Sequence, residues 1–353
     1  MINRKITSSL AALTVSLCLV LLLIFEKTAT NEAAVSLSIV AKRVIPTLFP
    51  FMVISDIIVS GDLLQPLYSL IPTEKIFRLP RCTASVILCG LLCGFPIGAS
   101  GAARLYSDKK ISQREAEVLC AISSHASPAF TIGVVGGIWG SKRTGVLLYF
   151  AEVIYCLISG AILSRITLPP LTDRKTLTPN SAVASSFISS VCGAVHSSSI
   201  TCLSAAGNIV FFRVLGAVMS VIIPPLASVF AVVFEFSGGA VYGAGVGRVN
   251  GGFLTGFAVG FSGLAVLLQC CNFTAPHGIK MNCYILTKTV EGLFLGTIAA
   301  ILVWCNHLIP AESTFIPITA TASSYPYLLL CFLAAIFLLT RPHSKRNNFT
   351  HGS

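Results

Sequence analysis

The chain has 353 residues, 54% of them hydrophobic and 10% charged, with a formal net charge of +11. Soluble domains carry roughly a quarter of their residues as charges, so this balance excludes a soluble enzyme and predicts an all-α polytopic membrane protein. The basic residues fall in short clusters between apolar segments (Arg4-Lys5, Lys109-Lys110 with Arg114, Arg174-Lys175, Arg341 to Arg346), which marks membrane topology rather than a nucleic-acid-binding face.

A bilayer crossing takes about 20 apolar residues, and the candidate segments are 8–25, 44–60, 116–139, 144–164, 205–234, 284–304 and 325–340. About seven or eight crossings are expected. The first is expected to be a start-in helix, being too long for a signal peptide. Both ends read as cytoplasmic by charge, whereas seven crossings would put the C-terminus outside; the two readings stay open. The chain divides into an N-terminal helix (1–30), a first repeat (31–164), a polar linker (165–182), a second repeat (183–306), and a last helix with a basic tail (307–353).

Residues Asn31 to Arg43 predict a helix along the interface, leading into "VIPTLFPFMVISDIIVSG", where Pro46 and Pro50 remove backbone donors. The limb Cys82–Cys93 is too short to span and ends at Gly94-Phe95-Pro96-Ile97-Gly98, which predicts a re-entrant hairpin. Ser112 and Glu115 form a capping-box pattern, and the helix it opens is interrupted at Ser123–Pro128. In the second half, Ser185–Ser199 predicts another amphipathic stretch, and "TGFAVGFSGLAVLLQC" matches the first hairpin with Gly256 and Gly260 for Gly90 and Gly94. A second hairpin is therefore expected over 251–268, and a second polar interruption over "QCCNFTAPHGIKMNCY". Paired interruptions in two halves point to a carrier built from repeats, with half-helix ends exposed at membrane depth.

The stretches "VIPTLFPFMVISDII", "GLLCGFPIGASGAARLYSDKKISQREAEVL", "SPAFTIG" and "GFAVGFSGLAVLLQ" resemble the YlbJ family of sporulation integral membrane proteins, over roughly Lys42 to Trp304. The resemblance implies two Gate, or nucleoside-recognition, domains, a fold akin to concentrative nucleoside transporters, and a bacterial inner-membrane protein needed for spore cortex formation. By position it carries over Phe49, Pro50, Phe51, Gly94, Phe95, Pro96, Gly98, Pro128, Phe130, Glu235, Gly260, Phe261, Gly263 and Gln269. The sequence departs at Ser124-His125-Ala126-Ser127, where the family often has Asn, and at Ser100, where it tends to have Lys.

Ionisable groups inside a bilayer are costly, by about 2.5–3.5 kcal/mol on insertion scales, and Asp56, Glu152, Arg213, Glu235, Lys288 and Glu291 all fall in apolar segments. Asp56, Glu152 and Glu291 are candidates for coupling protons or sodium. The solute-binding candidates are Gly94, Phe95, Pro96, Gly98, Ser124, His125, Ser127, Glu235, Gly260, Phe261, Ser262, Gly263, Gln269 and Asn272. Arg213 is alternatively a partner for one of the carboxylates. His125 among serines invites a hydrolase, but no Gly-x-Ser-x-Gly elbow accompanies it, and His196 reads as solvated. No catalytic residue, cofactor or metal is expected. The thirteen cysteines form no C-x-x-C pair and read as small apolar packing residues. The expected partners are the lipid bilayer, an unidentified small polar solute and a second copy of the chain. The competing expectation is a non-transporting scaffold for the spore envelope.

Overall fold

The computed structural model describes residues 2–61, 71–170, 187–246 and 248–306, and every regular element among them is helical. The candidate span 325–340, the basic tail and most of the linker lie outside the described residues.

Helix α1 (Ile2–Ile24) is followed by α2 (Glu26–Ile39), and the two meet at a bend of 92°. A turn of π-helix, Val40–Val44, joins α2 to α3 (Ile45–Gly61). Pro46 lacks the N–H that would reach the Lys42 carbonyl, so the ladder loosens where the sequence places its first proline.

A short α4 (Thr73–Phe77) precedes α5 (Thr83–Cys93) and α6 (Ile97–Ser107). These two form the expected hairpin: a Cβ on Gly101 would lie 2.8 Å from Val86 on the opposite limb. The Ser112–Glu115 capping box forms and opens α7 (Gln113–Ser123). The chain is then extended through Ser124–Ser127 and resumes as a π turn (Ala129–Val135) and α8 (Gly136–Ile138). Helix α9 (Lys142–Thr167) runs unbroken.

In the second half, α10 (Phe187–Ile222) is one 36-residue helix, ended before Pro224-Pro225. The described part of the serine-rich stretch is therefore the start of a long helix and not a separate interfacial one. The remaining helices are α11 (Ala227–Phe234), α12 (Phe236–Val246), α13 (Arg248–Phe261), α14 (Gly263–Thr274) and α15 (Asn282–Asn306).

The second hairpin lies elsewhere than the sequence suggests. The reversal is at Glu235, between α11 and α12, where a Cβ on Gly239 would fall 2.6 Å from Val232 Cα. At the expected place, α13 and α14 instead form one 29-residue apolar segment, Val249–His277. The reason is local: Pro96 has no N–H, whereas Ser262 keeps its bond to the Ala258 carbonyl (3.0 Å), so the helix is nicked without turning back. The expected second interruption forms the connection between α14 and α15, and α15 itself is continuous.

One order of elements thus occurs twice: a helical hairpin (α5–α6, α11–α12), a broken helix (α7–α8, α13–α14) and a long span (α9, α15). Four helices among the described residues are long and apolar enough to cross a membrane, five if the bent α1–α2 pair is one. The shortfall against the sequence count arises because 44–60 forms a 17-residue helix, 116–139 is broken and 325–340 lies outside the described residues, while 205–234 still contributes a span through α10 and Val249–His277 adds one.

Candidate functional site

The break after α7 leaves backbone amides without helical partners, at a depth where water cannot supply them. Glu152, on α9, answers one of them, its Oε1 accepting the Ala126 N–H at 2.7 Å. The break also turns His125 inward. Its Nε2 lies 2.7 Å from the Ile122 carbonyl, and its Nδ1 lies 3.0 Å from Glu291 Oε1, on α15, and 3.8 Å from Glu152 Oε1. Lys288, one turn before Glu291, donates to Glu291 Oε2 at 2.6 Å, with its Nζ 3.4 Å from His125 Nδ1. His125, Glu152 and Glu291 are 0% exposed and Lys288 is 1% exposed.

The geometry places two protons on the imidazole's hydrogen bonds. A carbonyl only accepts, so Nε2 carries a hydrogen and donates it to Ile122. The short contact between Nδ1 and Glu291 Oε1 then requires a second proton on the line joining them. If both carboxylates are ionised, that proton and the Lys288 ammonium make the cluster neutral, and without the proton it carries one negative charge. Glu152 Oε2 has no hydrogen-bond partner among the described residues. The Phe95 ring closes the cluster from the first hairpin, its centroid 5.6 Å from Lys288 Nζ. Tyr155 ties α9 to α15 by donating to the Thr287 carbonyl at 2.7 Å.

The first hairpin approaches this centre backbone to backbone. Cβ atoms on Gly90 and Gly98 would both collide with the Ser123 carbonyl, and one on Gly94 (φ +83) would lie 2.9 Å from Ser127 N. Gly94, Phe95, Pro96, Gly98, Ser124, His125 and Ser127 are thereby gathered at one place.

Glu235 sits at the tip of the second hairpin in a separate ionic group. Its carboxylate accepts the backbone N–H groups of Ser237 (2.9 Å) and Gly238 (2.7 Å), capping α12, as well as the Ser237 hydroxyl. Arg213 stands 3.7 Å from Glu235 and 2.7 Å from Glu32 of α2, so it is a partner to carboxylates, the alternative the sequence left for it. Gly263 (φ +75) packs on this tip, 3.3 Å from Glu235 Cα, and Phe236 meets Phe95 and Phe130 with ring centroids 5.5 and 4.8 Å apart. The two hairpin tips therefore touch through their aromatic rings.

Other expected site residues serve packing. Gly260 lies against the Glu291 backbone, Phe261 stacks on Phe257, the Ser262 hydroxyl donates to the Gly260 carbonyl, and Gln269 is buried on α14. Asp56, a further candidate for ion coupling, is paired with Arg104 at 2.6 Å, apart from Glu152 and Glu291. Asn272 also falls elsewhere, donating to Ser204 at 2.7 Å. Asp56, Arg104, Asn272 and His277 line a half-open cavity of about 310 Å³ between α3, α6, α10 and α14, with the hydroxyls of Ser100, Ser107, Ser197, Ser198 and Thr201. His196 is exposed, as expected.

Two features of the structure were not read from the sequence. Lys288 was visible as a cation in an apolar helix, yet its place between His125 and Glu291 depends on α15 crossing the α7 break. The cavity is drawn from four distant segments and had no signal beyond its serines.

A sporulation integral membrane protein, YlbJ of Bacillus subtilis (strain 168), is 25% identical over 307 residues, covering 74% of each chain. The resemblance read from the sequence holds. No family model matches the chain, and no solved structure matches it. The likeness to YlbJ and the apolar helices together make this a multi-pass integral membrane protein.

Proposed function

We propose that this YlbJ-like protein is a carrier-like permease for a small polar solute, placed in a bacterial inner membrane and serving sporulation. One observation carries the reading: four ionisable side chains from both halves converge, fully buried, on a helix break. A purely structural protein gains little from such a group, since buried ion pairs are often no more stabilising than apolar packing. A carrier needs one, because a cluster that is neutral with a proton and charged without it can couple a proton to movement.

The cavity of about 310 Å³ supplies a compartment of the size small ligands occupy. Helix α6 links the two regions: Ile97, Ser100 and Gly101 line the cavity, while Phe95 at the hairpin tip covers Lys288. Solute in the cavity would bear on the first hairpin, and the hairpin bears on the proton centre. The repeated order of hairpin, broken helix and span supports Gate-type repeats. The reading assigns no catalytic step.

The test is thermal unfolding of detergent-purified protein against nucleosides, small carboxylates, amino sugars and divalent cations, followed by uptake into proteoliposomes. A concentration-dependent stabilisation by one solute class, with uptake driven by a pH gradient and lost in Glu152→Gln, is expected. Folded protein that responds to no solute would overturn the carrier and favour the scaffold for the spore envelope.

A further inference from the structure

Resting on the reading of the buried cluster as the ion-coupling centre, we propose that Lys288 is a tethered cation. Its ammonium fills a position that His125, Glu152 and Glu291 would otherwise offer to a free metal ion. The ligating atoms of those three residues lie within 4.8 Å of one another, the convergence a bound cation requires. Each is prepared as a ligand. His125 presents Nδ1 inward while its Nε2–H is held by the Ile122 carbonyl at 2.7 Å, the outer-shell bond that orients metal-binding imidazoles. Glu152 is steadied through Oε1 by the Ala126 amide, and its Oε2, in a residue 0% exposed, has no partner among the described residues. Glu291 points both oxygens inward, one toward His125 at 3.0 Å and the other toward Lys288 at 2.6 Å.

An imidazole with two carboxylates would suit a divalent first-row ion, and a weaker sodium site is the alternative. The ammonium opposes both by standing 2.6 Å from Glu291 Oε2 and 3.4 Å from His125 Nδ1 and supplying the positive charge. It cannot diffuse away, so the centre keeps its counter-charge without a free cation. No sodium or metal ion therefore binds at this place.

The test is thermal unfolding of the full chain in detergent with NaCl, MnCl₂, methylammonium chloride or choline chloride. Mn²⁺ is used because carboxylate and imidazole attract it and the native thiols do not. Wild type should be unmoved by any of them. Lys288→Met should unfold several degrees lower and be restored by Mn²⁺ or methylammonium, but not by choline, and Lys288→Met/Glu152→Gln should lose the restoration. Recovery of folded Lys288→Met only when one of those cations is present during solubilisation is the same result. Stabilisation of wild type by Na⁺ or Mn²⁺ that Glu152→Gln removes would overturn the proposal. So would a Lys288→Met protein that no cation restores or renders foldable, or restoration that persists in the double variant. The readout is cation-dependent stability and not solute flux, so a failed carrier reading would leave it unmoved, and its own failure would leave solute uptake intact.

Discussion

Glycine 94 and glutamate 235 solve one problem with different chemistry: each ends a short helix at depth and sends the chain back. Gly94 does so with φ +83 and no side chain, against Ser127 N. Gly94→Ala adds strain of about 1–3 kcal/mol at such a backbone position together with a Cβ 2.9 Å from that nitrogen, and it should lower the unfolding midpoint by several degrees. Glu235 uses a carboxylate to hold two amides of α12. Glu235→Gln keeps the shape but loses charge-assisted bonds, at a cost of about 2 kcal/mol; a double-mutant cycle with Glu32→Gln, read by thermal unfolding, should show coupling through Arg213, which touches both acids. At this scale the sequence was most legible. His125, Glu152 and Glu291 stood out because ionisable groups in apolar runs demand a reason, though the sequence could show the cost of each and not its partner. For that reason Asp56 was grouped with them from the sequence, while Lys288, which lies beside Glu291, was not.

The hairpins show what sequence similarity measures. Gly256 and Gly260 match Gly90 and Gly94, yet the shared pattern reports close helix contact rather than reversal. Cβ atoms on Gly256 and Gly260 would strike the Leu295 and Glu291 carbonyls of α15, as one on Gly90 would strike that of Ser123. Small residues four apart serve any such approach. The true second reversal at Glu235 has no proline or glycine at the turning residue, and the Ser237-Gly238-Gly239 run beside it is helical, so its turn signal pointed at the wrong residues. The α6–α14 pair tests the cavity as a solute path. Ser107 Oγ lies 3.3 Å from the His277 ring at the cavity's edge, and Ser107→Cys/His277→Cys should form a disulfide. Oxidation is expected to stop solute uptake and reduction to restore it, whereas uptake indifferent to the bridge would remove this cavity from the path.

Across the whole molecule, composition was enough to establish an all-α membrane protein, but not the number of crossings. Apolar length cannot distinguish a span from two half-helices, because both bury the same residues; 116–139 was legible as broken only through its Ser-His-Ala-Ser-Pro run. The pairing of Glu152 with Glu291 was beyond reach, since it depends on α9 and α15 occupying matching places in two halves. Those places make a prediction about the whole cycle. If the centre carries one exchangeable proton, Glu152→Gln should still bind solute but lose its response to a pH gradient in proteoliposomes, and equal gradient-driven uptake in variant and wild type would sink the coupling.

The contact of Gly90 and Gly98 with the Ser123 carbonyl resembles a bearing more than a latch. Side chains that interlock make ridges, and one surface can pass another only by jumping a whole notch. Here backbone rests on backbone, with little to catch. Lifting the hairpin away would give up that close packing, while gliding along it keeps most of it. Such a joint is stiff against separation and smooth under shear, which is what the proposed carrier would ask of this hairpin.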